Sequence, residues 1–240
     1  METNRVSCVS CDNLILPDTA ARNGGLCGVC ERKRAKLAAA AAAEAAMKPD
    51  PNLQLWLERH LLAIEARLAD DLQRHMSVLS NDNIDFYGYA ILAEDYGTIT
   101  YDDPPSIAIA YNCESDIAEG NEGSVCYRYS PDEWENYVHT GFAETNLALR
   151  TLHADFLRQF YTHSEDRLSN NNRATFFDSV HRTYLRSLKK TRANGTFSPD
   201  IFLVIWISDS SYAIINDSAR ILNSPEVFKT YASEFVNDGG

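Results

Sequence analysis

Ile84-Asp85-Phe86-Tyr87-Gly88-Tyr89-Ala90-Ile91-Leu92 decides the fold. The stretch is dense in aromatic and aliphatic side chains and predicts a strand. The residues before it are of the opposite kind. Leu53, Trp56, Leu57, His60, Leu61, Ile64, Leu68, Leu72, Met76 and Leu79 recur mostly at three- and four-residue steps. That spacing lines one face of a long amphipathic helix. Asn81-Asp82-Asn83 carries turn chemistry and ends it.

Downstream the pattern alternates between the two types. Residues 98–101, 106–111 and 125–129 are β-prone, with Pro104-Pro105 separating the first two. Helices are expected over 131–138, 141–163 and 173–191, with Asn170-Asn171-Asn172 breaking the last two apart. Asn194-Gly195 is a turn, 201–207 a buried strand and 212–215 its neighbour. Ser224 followed by Pro225 starts a final helix as N-cap and first helical residue. Residues 52–240 are therefore expected to be an α+β domain, a mostly antiparallel sheet flanked by helices.

The first 31 residues have another logic. Cys8, Cys11, Cys27 and Cys30 form two Cys-x2-Cys pairs, the spacing of a four-cysteine zinc site. Two intervening residues let both thiolates of one tight turn reach the same tetrahedral ion. Gly24-Gly25 and Gly28 relieve the backbone where the chain bends hardest. The expectation is a structural Zn2+ in a treble-clef-like or ribbon-like finger over 1–31. Four thiolates leave no open coordination position, so the metal is not a catalyst. Residues 32–51 are dominated by alanine and read as a helical linker stopped by Pro49-Asp50-Pro51.

Charge is unevenly spread. The net charge is −12 and the pI about 4.9, which argues against general nucleic-acid or anionic-membrane binding. Between Asp82 and Glu135 there are thirteen acidic residues and one basic residue, Arg128, so this segment alone accounts for the net charge. Asp102, Asp103, Glu114, Asp116, Glu119 and Glu122 lie within it and are candidate partner-binding residues. A negative face speeds association with a basic partner and selects it. The competing readings are solvated turns, a metal-binding carboxylate cluster, for which the segment lacks EF-hand or other ligand spacing, and internal neutralisation by the late helix with Arg173, Arg182, Arg186, Lys189, Lys190 and Arg192.

Other signatures are missing from the sequence. It carries no Gly-rich phosphate loop, no His-Glu-x-x-His and no Gly-x-Ser-x-Gly elbow. His60, His75, His139, His153, His163 and His181 fall on expected helices or near them without metal spacing. No catalytic residue is nominated, and the chain is not expected to be an enzyme. It has no apolar leader or membrane-length apolar run, which points to the cytoplasm.

The second domain resembles the bacterial domain-of-unknown-function family 4303. Asp85-Phe86-Tyr87-Gly88-Tyr89-Ala90 is similar to its first strand. Ala110-Tyr111-Asn112-Cys113-Glu114-Ser115 is similar to its Asn-Thr-Glu-Glu-like turn, departing from it at Cys113 and Ser115. Tyr127-Arg128-Tyr129-Ser130-Pro131-Asp132-Glu133-Trp134 resembles its Arg-Trp-x-Pro-x-Glu-Trp signature. Residues 192–197 and 200–207, with Asp209 after them, resemble its late turn and buried strand. Such domains are commonly encoded beside bacterial toxin genes. The resemblance implies an immunity protein that neutralises one cognate protein toxin, and the acidic segment suits a toxin with a basic groove. The N-terminal finger also looks like those attached to such proteins. Two alternatives stand beside this: a zinc-finger regulatory or nucleic-acid-associated protein, and an enzyme with an unrecognised site in the acidic domain. Through residue 48 there are seven basic against five acidic residues, including Arg32-Lys33-Arg34. A solvated first helical turn accounts for that excess more simply than nucleic-acid contact does.

Overall fold

The computed structural model describes residues 6–7, 9, 11, 14–15, 17–22, 24–26, 29–34, 50–93, 104–117, 119–161, 167–208 and 212–236. The chain divides into two compact units, Met1–Pro49 and Asp50–Gly240.

In the first unit, strands β1 (Val6–Ser7) and β2 (Leu14–Ile15) pair antiparallel. Helix α1 (Pro17–Arg22) follows, and residues 29–34 form helix α2. Gly24 and Gly25 have φ of 58° and 82°, the left-handed region where a side chain is strained. They bring the chain back so that Val9 N–H donates to the Gly25 carbonyl at 3.1 Å.

The second unit begins with helix α3 (Pro51–Asn81). Asp50 caps it by accepting from Asn52 N–H, and Pro51 occupies the first turn, where no intrahelical donor is needed. Leu53, Leu57, Leu61, Ile64, Leu68 and Leu72 are all buried, as the three-and-four spacing requires. The sheet has the order β5-β4-β3-β6. Its strands are β3 (Phe86–Ala93), β4 (Ile107–Cys113), β5 (Asn136–Val138) and β6 (Phe202–Trp206). Pairings β3–β4 and β4–β5 are antiparallel, and β3–β6 is parallel. The remaining helices are α4 (Val125–Tyr129), α5 (Ala143–Phe160), α6 (Arg167–Ala193), α7 (Ala213–Leu222) and α8 (Pro225–Phe235). This is an α+β domain with a mostly antiparallel sheet flanked by helices.

Four local expectations are corrected. Residues 125–129 form helix α4, capped by the Ser124 side chain accepting from Tyr127 N–H, in place of a strand. The expected helix over 131–138 is a 3-10 turn, Pro131–Glu133, followed by β5. Residues 212–215 open helix α7 and are no strand. The three asparagines 170–172 lie inside α6. Tertiary bonding keeps Asn172 there: its side chain accepts from Asp50 N–H at 2.9 Å and donates to the Phe160 carbonyl at 3.1 Å. The expected strand over 98–101 lies outside the described residues.

Helices α3 and α6 approach closely because α6 offers small hydroxyl residues. Thr183, Ser187 and Thr191 are buried there at four-residue steps, each returning its hydroxyl to a carbonyl one turn back. Ser187 Oγ also reaches the Glu65 carbonyl of α3 at 3.1 Å. Buried Asp71 of α3 accepts from Thr145 of α5 at 2.6 Å and pairs with Arg74. On the other sheet face, Phe202 packs against Tyr129 and Tyr231, with ring centroids 4.8 and 5.7 Å away.

One irregularity shapes the start of β3. Phe86 pairs with Cys113 and Gly88 with Asn112, so Tyr87 is an extra residue in the strand, a β-bulge. The slip keeps Phe86 on the face of Tyr89, 6.0 Å away, while Tyr87 turns to meet Trp134 at 6.4 Å. Both sides of the sheet carry amide stops. Asn223 of α7 accepts from Leu203 N–H and donates to the Leu203 carbonyl, each at 2.8 Å, and Ser218 accepts from Ile205 N–H at 2.9 Å. Asn146 of α5 does the same for Ile107 of β4, at 2.9 and 3.0 Å.

Candidate functional site

An open cleft of about 920 Å³ lies at the end of the sheet where β3 and β6 begin. Its walls come from the last turns of α3, from Asp85 and bulged Tyr87, from Glu114 and Arg128, and from the turn after α6. Arg192 builds that last wall. One guanidinium nitrogen donates to the Ser198 and Pro199 carbonyls at 3.1 and 2.9 Å, and a second donates to the Ile201 carbonyl. Burial lowers the Arg192 pKa from its ordinary value, while Asp200 nearby favours the charged form.

Arg128, the one base of the acidic segment, is held inside it. Its two terminal nitrogens donate to the two Glu114 oxygens at 3.1 and 2.6 Å, and its guanidinium sits 4.4 Å from the Tyr87 ring centroid. A forked ion pair stacked on an aromatic face is the geometry arginine is suited to and lysine is not. The Arg128 donors hold the Glu114 carboxyl below its ordinary value. Asn112 locks the ring from below, donating to Tyr87 Oη at 2.9 Å and accepting from Glu135 N–H at 3.2 Å. Burial raises the Tyr87 pKa, so its phenol stays protonated.

The carboxylates named from the sequence thus divide by role. Glu114 is exposed but committed to Arg128. Asp116 serves the fold: it accepts from Cys113 N–H at 3.1 Å, from Asn136 Nδ2 at 2.7 Å and from Ser115 Oγ at 3.1 Å. Burial pushes the Asp116 carboxyl up, but these donors outweigh it and hold the group below its ordinary value. The same neighbourhood pushes the Cys113 thiol up to about 11, through burial and then the Asp116 charge. Glu119 and Glu122 are exposed; Glu122 accepts from Gly120 N–H at 3.0 Å. Asp102 and Asp103 lie outside the described residues.

The late helix does not neutralise this segment through its described arginine pairs. Arg182 binds Asp178 on its own helix and Arg186 binds Glu65 of α3, while Arg192 serves carbonyls. Three further carboxylates, Asp132, Glu133 and Glu135, stand exposed beside Tyr137, which is 44% exposed. Burial, and then these three charges, raise the Tyr137 pKa. Tyr127 is exposed on α4 of the same segment. Composition marks the acidic segment, but nothing in the sequence marks Tyr127 and Tyr137 as its exposed aromatic residues. The arginine–tyrosine signature at 127–134 was the signal closest to them.

The match to the family described as domain of unknown function (DUF4303) covers residues 64–224. The chain belongs to the DUF4303 family. The matched span holds the whole four-stranded sheet, the Tyr87–Arg128–Glu114 cluster and the walls of the cleft, and none of the Met1–Pro49 unit. No curated protein and no solved structure matches the chain. Among the described residues, no helix of this DUF4303 protein is long and apolar enough to cross a membrane.

The cysteines meet the structure in part. Cys11 is exposed and Cys30 half-buried at the start of α2, whereas Cys8 and Cys27 lie outside the described residues. Among the described residues, which hold only two of the four cysteines, no group of three or more metal-binding side chains is assembled.

Proposed function

We propose that this DUF4303 protein is a cytoplasmic immunity protein that binds a cognate bacterial toxin and covers its active surface. One observation carries the reading. The exposed carboxylates Glu119, Glu122, Asp132, Glu133 and Glu135 share a segment with the exposed rings of Tyr127 and Tyr137, and that segment is fastened to the sheet by Trp134, Asn112 and Asp116. Charged rims steer a partner of opposite charge, and tyrosines on a rigid support supply affinity. A toxin with a basic groove fits that chemistry. The resemblance to domains encoded beside toxin genes points the same way.

The finger is part of the proposal as a metal-stabilised attachment. Cys8, Cys11, Cys27 and Cys30 hold one structural Zn2+ in this reading. The β1–β2 hairpin brackets the first pair, and the left-handed Gly24 and Gly25 precede the second, which supports two facing turns. The metal would supply folding energy to a unit in which, among the described residues, Leu26 is the one buried apolar side chain.

The test is co-expression with the toxin encoded next door. Growth should be rescued, and the purified pair should associate in calorimetry with an affinity that falls as salt rises. Absence of both rescue and association refutes the reading.

A further inference from the structure

We infer that β5 is the docking edge of this protein: an extended, basic segment of the partner adds to the sheet as a strand beside Asn136–Val138. The inference rests on the immunity reading and deepens it by naming how the toxin is held.

Backbone groups decide which edge is open. On the β6 side Asn223 of α7 takes both outward groups of Leu203, and Ser218 takes the Ile205 N–H. On the β4 side Asn146 takes both groups of Ile107. Those groups therefore point away from β3. Successive residues of a strand turn their N–H and C=O to opposite sides, so Ile109 and Tyr111 point the same way as Ile107, toward β5. They face Val138 and Asn136 in register. Tyr137 lies between, opposite Ala110, so its N–H and C=O turn outward along the free side. No hydrogen bond to either group occurs among the described residues. An open strand edge is a template for another strand.

Charge selects the occupant. Asp132, Glu133 and Glu135 stand at this edge, close enough to raise the Tyr137 pKa. Its side chain reaches back to the 3-10 turn, where Tyr137 Oη donates to the Pro131 carbonyl at 2.7 Å. A strand with lysine or arginine at alternate positions would place its charges against these carboxylates while pairing with Tyr137.

The test uses the full chain and a short synthetic peptide of alternating lysine and valine, with a glutamate–valine peptide as control. Hydrogen exchange is followed by NMR at the Tyr137 amide. Saturation with the lysine peptide should slow that amide about tenfold or more, and the control should leave it unchanged. Tyr137→Pro removes the edge donor and should weaken binding about five- to tenfold beyond Tyr137→Ala, which keeps the donor and loses the ring. Glu133→Lys with Glu135→Lys, at exposed positions that leave the core alone, should abolish peptide binding. Binding without protection at Tyr137, no binding at all, or equal binding by the Pro and Ala variants overturns the inference. Toxin association with an unprotected Tyr137 amide refutes this docking mode alone. A protected amide with the peptide but no association with the toxin refutes the immunity reading alone.

Discussion

Gly88→Ala is the substitution on which the support of the acidic edge can be weighed. A Cβ built on Gly88 would stand 2.8 Å from both Cη2 and Cζ2 of Trp134. The indole has little room to yield. It is buried, it meets Phe202 edge-on at 6.5 Å and Tyr87 edge-on at 6.4 Å, and its backbone closes the 3-10 turn at the Pro131 carbonyl. Overpacking of this kind costs about 1–3 kcal/mol, against about 0.5–1 kcal/mol that alanine recovers by restricting the unfolded chain. The net loss is about 1–2 kcal/mol, a fall in Tm of about 2–8 °C for a chain of this size. Urea titration followed by tryptophan fluorescence reads it directly. The double variant with Trp134→Phe removes the two clashing atoms, so the alanine penalty should vanish and a coupling of about 1–2 kcal/mol should appear. Wild-type stability of Gly88→Ala, or a coupling near zero, refutes the claim that this glycine exists to admit the indole. Because Trp134 fastens the turn that carries Asp132 and Glu133, the alanine variant should also weaken peptide binding at the edge.

Asn223→Ala strands the Leu203 N–H and carbonyl at the sheet edge and should cost about 1–3 kcal/mol in urea unfolding, with faster aggregation seen by light scattering. His75 shares one hydrogen bond with Tyr89 Oη at 2.8 Å, and burial lowers its pKa below the ordinary 6.5. The unfolded chain therefore binds a proton that the folded chain refuses, so stability should fall as pH drops below about 6.5, by at most about 1.4 kcal/mol per pH unit, and His75→Gln should flatten that slope. Cys8→Ser or Cys27→Ser should abolish a stoichiometry of one zinc per chain by elemental analysis and should leave the tryptophan-monitored unfolding of the DUF4303 unit unchanged; a variant that keeps its full zinc refutes the four-cysteine site.

How legible each segment is in the sequence depends on how much of a pattern it displays. Helix α3 spans enough turns for its buried leucines to repeat many times, and β6 is buried at every position, so both could be read. Residues 125–129 misled because β-prone side chains over so short a run carry no period, and what makes them helical is the Ser124 cap and packing near α8. Residues 212–215 misled for the same reason. The helical spacing of Ile214, Ile215, Ser218, Ala219 and Leu222 shows only once the window is widened. Asn170–Asn172 looked like a break because propensity is local, whereas the bonds that keep Asn172 in α6 reach α5 and Asp50. At the candidate site, composition marked the acidic segment. The division of labour within it, Asp116 inward, Glu114 on Arg128 and Glu133 outward, depends on partners far apart in the chain.

The amides of Asn146 and Asn223 have a further consequence. Each imitates one residue of a neighbouring strand and then stops, since a side chain offers nothing on its far side for a further strand to read. Among the described residues, the β6 edge is stopped at Leu203 by Asn223 and at the Ile205 N–H by Ser218, whereas β5 turns the N–H and C=O of Tyr137 outward. In the docking mode inferred above, the added strand meets the backbone of Tyr137, and Asn223 denies a further strand the same foothold at Leu203 on the opposite edge.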